Sequence, residues 1–286
     1  MEYRNKIFND DCMNILKQMP DESVDLVITD PPYKIIAGGV RVIEEWSKDY
    51  NEIDNKWVLN RWRIVVSDWS KIWNKWLRKD LNIPSAVKDW KMFVNNDIWF
   101  DEWLPEVYRV LKKWTHCYII INWRNLNELM NVAKKVWFHW QNLLVWNKQN
   151  ATPNKYYMNA VEFILFLAKK PCRNINDMGT KNIFNIKNII GKKQHPTYKP
   201  LELMEIFVKN SSNEWDLVLD PFAGVGSVCQ AARFNNRDFV WIEIDKEFYD
   251  KMNKRLLLNR IMDNHFEHWE DVDELIEKWL DWIFDF

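Results

Sequence analysis

The chain has 286 residues, 47% hydrophobic and 28% charged, with a formal net charge of −1. That is enough apolar material for one large α/β domain with insertions, or for one domain and a small lobe. No apolar run approaches the roughly 18 residues of a membrane span and nothing resembles a signal peptide, so the expected setting is cytoplasmic, with no membrane partner.

The elements follow in chain order. Residues 5–33 hold a short strand, a helix over 13–19, and the run Val24-Asp25-Leu26-Val27-Ile28-Thr29, which reads as a buried strand. It ends in Asp30-Pro31-Pro32-Tyr33. Proline fixes φ and lacks an N–H, so this corner cannot continue into sheet or helix. The Asp30 carboxylate and the Pro31 carbonyl are left as acceptors, and Tyr33 offers a flat face. That set suits the holding of a flat aromatic amine. Residues 35–96 carry a net charge of +3 and no sustained period, so they read as an inserted loop or small lobe that could recognise a target. A helix is expected over 97–113, with apolar positions 100, 103, 104, 107, 110 and 111 on one face. Then come a strand over 118–121, a helix over 125–135, a strand over 142–146, a polar loop over 147–160 and a strand over 161–167.

Residues 169–199 are irregular and basic, with eight Lys or Arg against one acid. Lys169, Lys170, Arg173, Lys181, Lys187, Lys192 and Lys193 are the expected phosphate contacts, because such a stretch suits a nucleic-acid backbone. A helix over 201–210 leads into Leu217-Val218-Leu219-Asp220-Pro221-Phe222-Ala223-Gly224-Val225-Gly226, a strand followed by a glycine turn and a helix. The next strand ends at Glu243, where a nucleotide-binding βαβ unit places its ribose acceptor. Residues 259–286 are strongly acidic and read as an amphipathic helix packed on the body. Alternation of strands and helices implies a doubly wound, mostly parallel sheet with its ligand at the strand C-terminal ends. Cys12, Cys117, Cys172 and Cys229 form no Cys-x-x-Cys pair, and the five histidines lack ligand spacing, so no metal is expected.

The chain resembles the amino-group DNA methyltransferases that use S-adenosylmethionine, in the permuted (beta-type) subclass whose catalytic motif precedes the cofactor motif. Asp30-Pro31-Pro32-Tyr33 matches the catalytic motif, Asp220-Pro221-Phe222-Ala223-Gly224-Val225-Gly226 the cofactor loop, and Glu243 the ribose acid. His195-Pro196-Thr197-Tyr198-Lys199-Pro200 matches the segment ahead of the cofactor strand, and Asp11-Cys12 a short motif near the adenine. The resemblance implies a Rossmann-like fold of the class I methyltransferase type, circularly permuted in motif order, with one antiparallel edge hairpin. The resemblance covers residues 5–34 and 97–258, and the catalytic and cofactor-binding domain it implies takes residues 1–34 and 97–258. Asp11, Cys12, Thr197, Lys199, Asp220, Phe222, Gly224, Gly226 and Glu243 would then hold the cofactor, with Lys199 on its carboxylate. Double-stranded DNA is the implied substrate, a cognate restriction endonuclease the implied partner, and a monomer or homodimer the implied assembly. Within the family Asp30, rather than Ser, leans towards adenine N6, with cytosine N4 as the alternative. A third reading is a DNA-binding protein of the same fold without turnover.

One feature of the composition is unusual: 6 Gly and 19 Trp. Ordinary usage would give about 20 Gly in this length. Trp114, Trp137, Trp215 and Trp241 stand where the backbone or a nearby cofactor asks for glycine, whereas Trp103 and Trp146 sit at apolar positions. The pattern points to UGA codons decoded as glycine and written as tryptophan. If Trp241 is genuine, its bulk is expected to obstruct the cofactor pocket.

Overall fold

The computed structural model describes residues 3–32, 98–152, 157–189 and 199–262. Tyr33, the insert 35–96, Lys192, Lys193, His195, Thr197 and all but the first residues of the acidic segment 259–286 lie outside them.

Eight strands form one sheet. They are β1 (Lys6–Phe8), β2 (Val24–Thr29), β3 (Leu111–Ile121), β4 (His139–Thr152), β5 (Asn159–Ala168), β6 (Ile183–Asn185), β7 (Leu217–Asp220) and β8 (Asp238–Ile242), in the spatial order β1-β8-β7-β2-β3-β5-β4-β6. Every neighbouring pair is parallel except those made by β5, which runs antiparallel to both β3 and β4. The helices are α1 (Cys12–Leu16), α2 (Phe100–Val110), α3 (Leu126–Lys135), α4 (Leu201–Ser211), α5 (Ser227–Phe234) and α6 (Lys246–Met262). This is the mixed, mostly parallel α/β sheet of the class I methyltransferase type. No helix among the described residues is long and apolar enough to cross a membrane.

Alternation along the strands sorts the core. Leu26 and Ile28 of β2, with Tyr118 and Ile120 of β3 and Ile164 of β5, face Phe207 and Val208 of α4 and Ala231 and Ala232 of α5. Trp103, Leu104 and Val107 line the buried stripe of α2, as the 3.6-residue period requires. A smaller cluster under the glycine loop joins Ala223, Cys229, Phe239, Trp241, Met252 and Leu256.

Three expectations need correction. The helix over 97–113 stops at Val110, because Leu111 is already extended and pairs with Val24. Pairing resumes only at His116 with Leu26, so residues 112–115 bulge out of β3. The polar run 147–160 is not all loop. It carries the end of β4 and the start of β5, with Thr152 paired to Asn159. Its amides supply the missing signal: Asn147 Nδ2 donates to Asn185 Oδ1 at 2.9 Å, and Gln149 Nε2 to the Asn185 carbonyl at 3.0 Å. Finally, β5 is not at the edge. β4 and β6 lie beyond it, and β6 is built from a stretch whose composition signals only a loop.

Candidate active site

Crossovers leave the sheet in opposite directions from β7 and β2, so the switch point lies between these strands, where open α/β sheets hold their ligands. Thr29 ends β2 and Asp220 ends β7. Their side chains meet across the gap, with Thr29 Oγ1 donating to Asp220 Oδ1 at 2.8 Å. The Phe222 N–H donates to the same oxygen at 3.1 Å. Burial pushes the Asp220 carboxyl up to about 7, helped by the nearby charges of Asp30 and Glu243.

The β7 half of the site is a glycine loop whose backbone N–H groups are held inside the chain, Ala223 on the Ile242 carbonyl and Gly226 on the Ala223 carbonyl. Gly224 and Gly226 both adopt left-handed φ, 55° and 85°. A Cβ on Gly226 would lie 3.0 Å from Met252 Cγ and 3.1 Å from Cys229 Sγ, so the φ of 85° and tight packing together favour glycine there. A Cβ on Gly224 would meet open space, which leaves the loop's outer side free for a ligand to approach. Glu243 closes the loop. Its Oε2 accepts the Gly224 N–H at 2.7 Å and its Oε1 the Asp245 N–H at 2.8 Å. Burial raises its carboxyl above the ordinary value. Asp11 caps α1 by accepting the Met13 N–H at 2.8 Å, and Cys12 is buried beside it with a thiol pushed up to about 12, mainly by burial. That thiol packs rather than reacts. Phe222 sits edge-on to Trp103, with ring centroids 5.1 Å apart. Trp241 packs its indole into the core cluster with Ala223 and stacks on Phe239, away from the open side of Gly224. Its bulk is therefore accommodated under the loop rather than in the pocket. The open glycine loop and the acid at the end of β8 fit a nucleoside cofactor.

The Asp30-Pro31-Pro32 corner is built differently. The Asp30 side chain is 17% exposed, but its Oδ1 is buried and has no hydrogen-bond partner among the described residues. Its Oδ2 lies 2.8 Å from Lys199 Nζ. Lys199, expected on the cofactor carboxylate, also lies 3.0 Å from Glu162 Oε2. Burial raises the Asp30 carboxyl against the pull of Lys199, while Lys199 and Lys148 together hold Glu162 low. Sequence reasoning does not single out Glu162, Lys148 or Thr29. The available signal was one acid inside the otherwise apolar run Val161-Glu162-Phe163-Ile164-Leu165.

The basic segment divides. Register puts Lys169, Lys170 and Arg173 beyond the end of β5 that pairs with His116, level with the start of β2 and so at the far end from Asp30. Lys169 is buried and donates to the Leu111 and Tyr108 carbonyls at 2.7 and 2.9 Å. Arg173 donates to the Ser211 carbonyl at 2.5 Å, at the C-terminus of α4. These two cations are used inside the fold, because unpaired carbonyls at strand and helix ends need donors. Lys187 follows β6 at the same end as Glu162, and Lys181 precedes that strand; both are exposed.

A doubly wound sheet with a glycine cradle at its switch point, an acid at the end of the next strand and an Asp-Pro-Pro corner across the gap defines a nucleoside-cofactor transferase of the methyltransferase class. Residues 24–254 match the N6_N4_Mtase family, described as DNA methylase, and the chain belongs to that family. It is 26% identical over 278 residues to the type II methyltransferase M.HinfI of Haemophilus influenzae, covering 89% of this chain and 69% of the relative. Among solved structures it is similar to the M1.HpyAVI–SAM complex, with a TM-score of 0.56, 22% identity, and coverage of 87% of this chain and 98% of that one. It is also similar to the PvuII DNA methyltransferase, described as cytosine-N4-specific, with a TM-score of 0.60, 16% identity, and coverage of 92% and 88%.

Proposed function

We propose that this DNA methyltransferase acts on the exocyclic N6 amine of an adenine flipped out of duplex DNA, with S-adenosylmethionine as the methyl donor. The carrying observation is the buried Oδ1 of Asp30, an acceptor with no donor among the described residues. Buried carboxylate oxygens are rarely left unmatched, and at a strand end facing a cofactor cradle the missing donor is naturally a substrate N–H.

An exocyclic amine is a poor nucleophile because its lone pair is delocalised into the ring. Donation of its two N–H bonds to Asp30 Oδ1 and the Pro31 carbonyl would draw the nitrogen towards a tetrahedral form and localise that pair. The cofactor, when bound, supplies an electrophilic methyl group on a sulfonium. Glu243 would accept from the ribose, and Asp11, Phe222 and the Gly224 loop would hold the nucleoside. Formation of the new C–N bond would go with breaking of the methyl–sulfur bond, a neutral thioether being the leaving group, so the nitrogen becomes cationic and must lose a proton. Burial makes Asp30 a stronger base than a surface carboxylate, which suits it to receive that proton. The target amine is inside the stack, so the base must leave the duplex, and the family resemblance gives Tyr33, next after Pro32 in the sequence, as the ring that would stack on it.

The specific choice of adenine rests on Asp30 opening the corner. Cytosine N4 is the second reading, since a similar fold carries that specificity in the PvuII enzyme. The test is nucleoside mass spectrometry of unmethylated duplex DNA after incubation with the protein and S-adenosylmethionine. N6-methyladenine is expected. N4-methylcytosine alone would replace adenine with cytosine, and neither product would overturn the proposal.

A further inference from the structure

Asp30 does not face its substrate alone. Lys199 Nζ lies 2.8 Å from Asp30 Oδ2 and 3.0 Å from Glu162 Oε2, and Lys148 Nζ lies 3.3 Å from Glu162 Oε1. Four alternating charges thus run from the corner after β2, through the residue two before α4, to the paired strands β5 and β4. They are largely out of water, the Lys199 and Lys148 side chains being 8% and 11% exposed. Low exposure makes each position costly to leave unmatched.

The order of charges matters for the acceptor. An ammonium facing a single carboxylate can settle between its two oxygens and occupy both. Here a second carboxylate draws Lys199 to the side, so that it meets Asp30 at Oδ2 while Oδ1 has no partner among the described residues. We propose that Glu162, braced by Lys148, is a positioning residue for methyl transfer: it holds Lys199 on one oxygen of Asp30 so that the other stays aimed at the substrate amine. This rests on the amine-methylating reading above. Sharing one ammonium between two carboxylates also leaves Asp30 only partly neutralised, which preserves its strength as an acceptor. The charged groups facing Asp30 are Lys199, Glu162 and, across the switch point, Asp220.

The test is steady-state methylation by the full chain carrying Glu162→Gln, which keeps the size and removes the charge. The expected kcat loss is about 10–100-fold, the order that misplacement of a reacting group causes. KM for S-adenosylmethionine should stay within about two-fold, since the backbone cradle is untouched. The acid limb of the kcat profile should move to lower pH, because Asp30 loses a like-charged neighbour and keeps the ammonium. Glu162→Asp should recover part of the rate, and Lys148→Met should lower it in the same direction by less. An unchanged kcat and pH profile in Glu162→Gln overturns the proposal, even if its melting temperature falls. Should that variant not fold, the same criterion applies to Lys148→Met. An inactive parent chain would instead count against the amine-methylating reading itself.

An independent observation concerns the backbone. Trp114, Trp137 and Trp215 adopt left-handed φ of 70°, 73° and 69°. Each sits where hydrogen bonds enforce that conformation. The Trp137 N–H donates to the Lys134 carbonyl at 3.2 Å and the Phe138 N–H to the Ala133 carbonyl at 3.0 Å, the paired bonds of a Schellman cap, with Trp137 at its glycine position. Trp215 is the third residue of a turn closed by the Asp216 N–H on the Asn213 carbonyl at 3.2 Å, a position that favours glycine when φ is positive. Trp114 lies in the β3 bulge. The three residues are 54%, 79% and 65% exposed, so burial of the indole does not offset the strain. Trp103, Trp146 and Trp241 are buried and keep ordinary φ.

We infer that the fold is built for glycine at 114, 137 and 215, and that these codons are UGA decoded as glycine. Replacing all three by glycine in the full chain should raise the melting temperature by about 2–4 °C per position. Peptides of the protein made in its own cell should carry glycine at these sites. UGG at the three codons, tryptophan in those peptides, or no thermal gain would each overturn the inference. Trp241 is outside it, because its backbone is extended within β8.

Discussion

The two ends of the sheet treat buried polar groups in opposite ways. At the N-terminal end of the parallel strands, valences are filled. His116 Nε2 faces the Arg173 carbonyl at 3.0 Å, which can only accept, so Nε2 carries the proton and Nδ1 accepts from Ser211 Oγ at 2.8 Å. Ser211 in turn accepts from the Tyr118 hydroxyl at 2.6 Å. Lys169 and Arg173 satisfy carbonyls beside them. At the C-terminal end, Asp30 Oδ1, Trp103 Nε1 and Asn150 Oδ1 are buried without partners among the described residues, and Asp220 is pushed towards neutrality. A closed end stabilises, whereas an open end keeps carboxylate and amide acceptors such as Asp30 Oδ1 and Asn150 Oδ1 for something that is not part of the chain.

The sharpest way to break this comparison is Asp30→Ala. It should lower kcat by at least roughly 10²–10³-fold, as loss of one oriented polar group at a reacting centre does. S-adenosylmethionine affinity measured by calorimetry should hold, because Gly224 and Glu243 are untouched. Stability should change little, since Lys199 keeps Glu162 as a partner. A large loss of stability with normal turnover would reverse the roles of the two ends.

The closed end predicts the opposite behaviour. Burial lowers the His116 pKa from 6.5 to about 4. The unfolded chain takes up this proton below pH 6.5 while the folded chain resists it until about pH 4. Stability from this group is therefore full above pH 6.5 and lost as pH falls towards 4, by up to about 3 kcal/mol. Asp220 works the other way, its raised pKa costing stability as pH rises towards about 7. The contribution of His116 is thus read as a difference: denaturant melts of His116→Gln should show a shallower loss between pH 6.5 and 4 than the parent chain.

How legible each end was follows from how local its chemistry is. The cradle from Asp220 to Glu243 lies within one strand–turn–helix–strand unit, so spacing alone locates it. The Asp30 corner is likewise announced by two consecutive prolines. The partners of Asp30 are another matter. Residues 30, 148, 162 and 199 come from four separate segments, and only the sheet order, with β5 inserted between β3 and β4, brings them together. The end of β4 and its pairing with β6 were hidden because Asn147 and Gln149 tie β4 to Asn185 of β6 through amides rather than apolar alternation. Charge counting over 169–199 could not tell which end of the sheet each lysine reaches.

Lys169 and Lys187 test that last point, because composition treats them alike. Lys169→Met should destabilise the chain by about 2–4 kcal/mol, leaving the Leu111 and Tyr108 carbonyls without their donor. It should not alter the salt dependence of DNA binding. Lys187→Ala should leave stability within about 0.5 kcal/mol, as an exposed substitution does. If Lys187 contacts a phosphate beside the Asp30 corner, its loss should reduce the slope of log affinity against log salt by about 0.9 and weaken binding alike across sequences. Equal slopes for the parent chain and Lys187→Ala would confine the DNA contact to other residues. A reduced slope for Lys169→Met would mean that the end assigned here to stability also meets the nucleic acid.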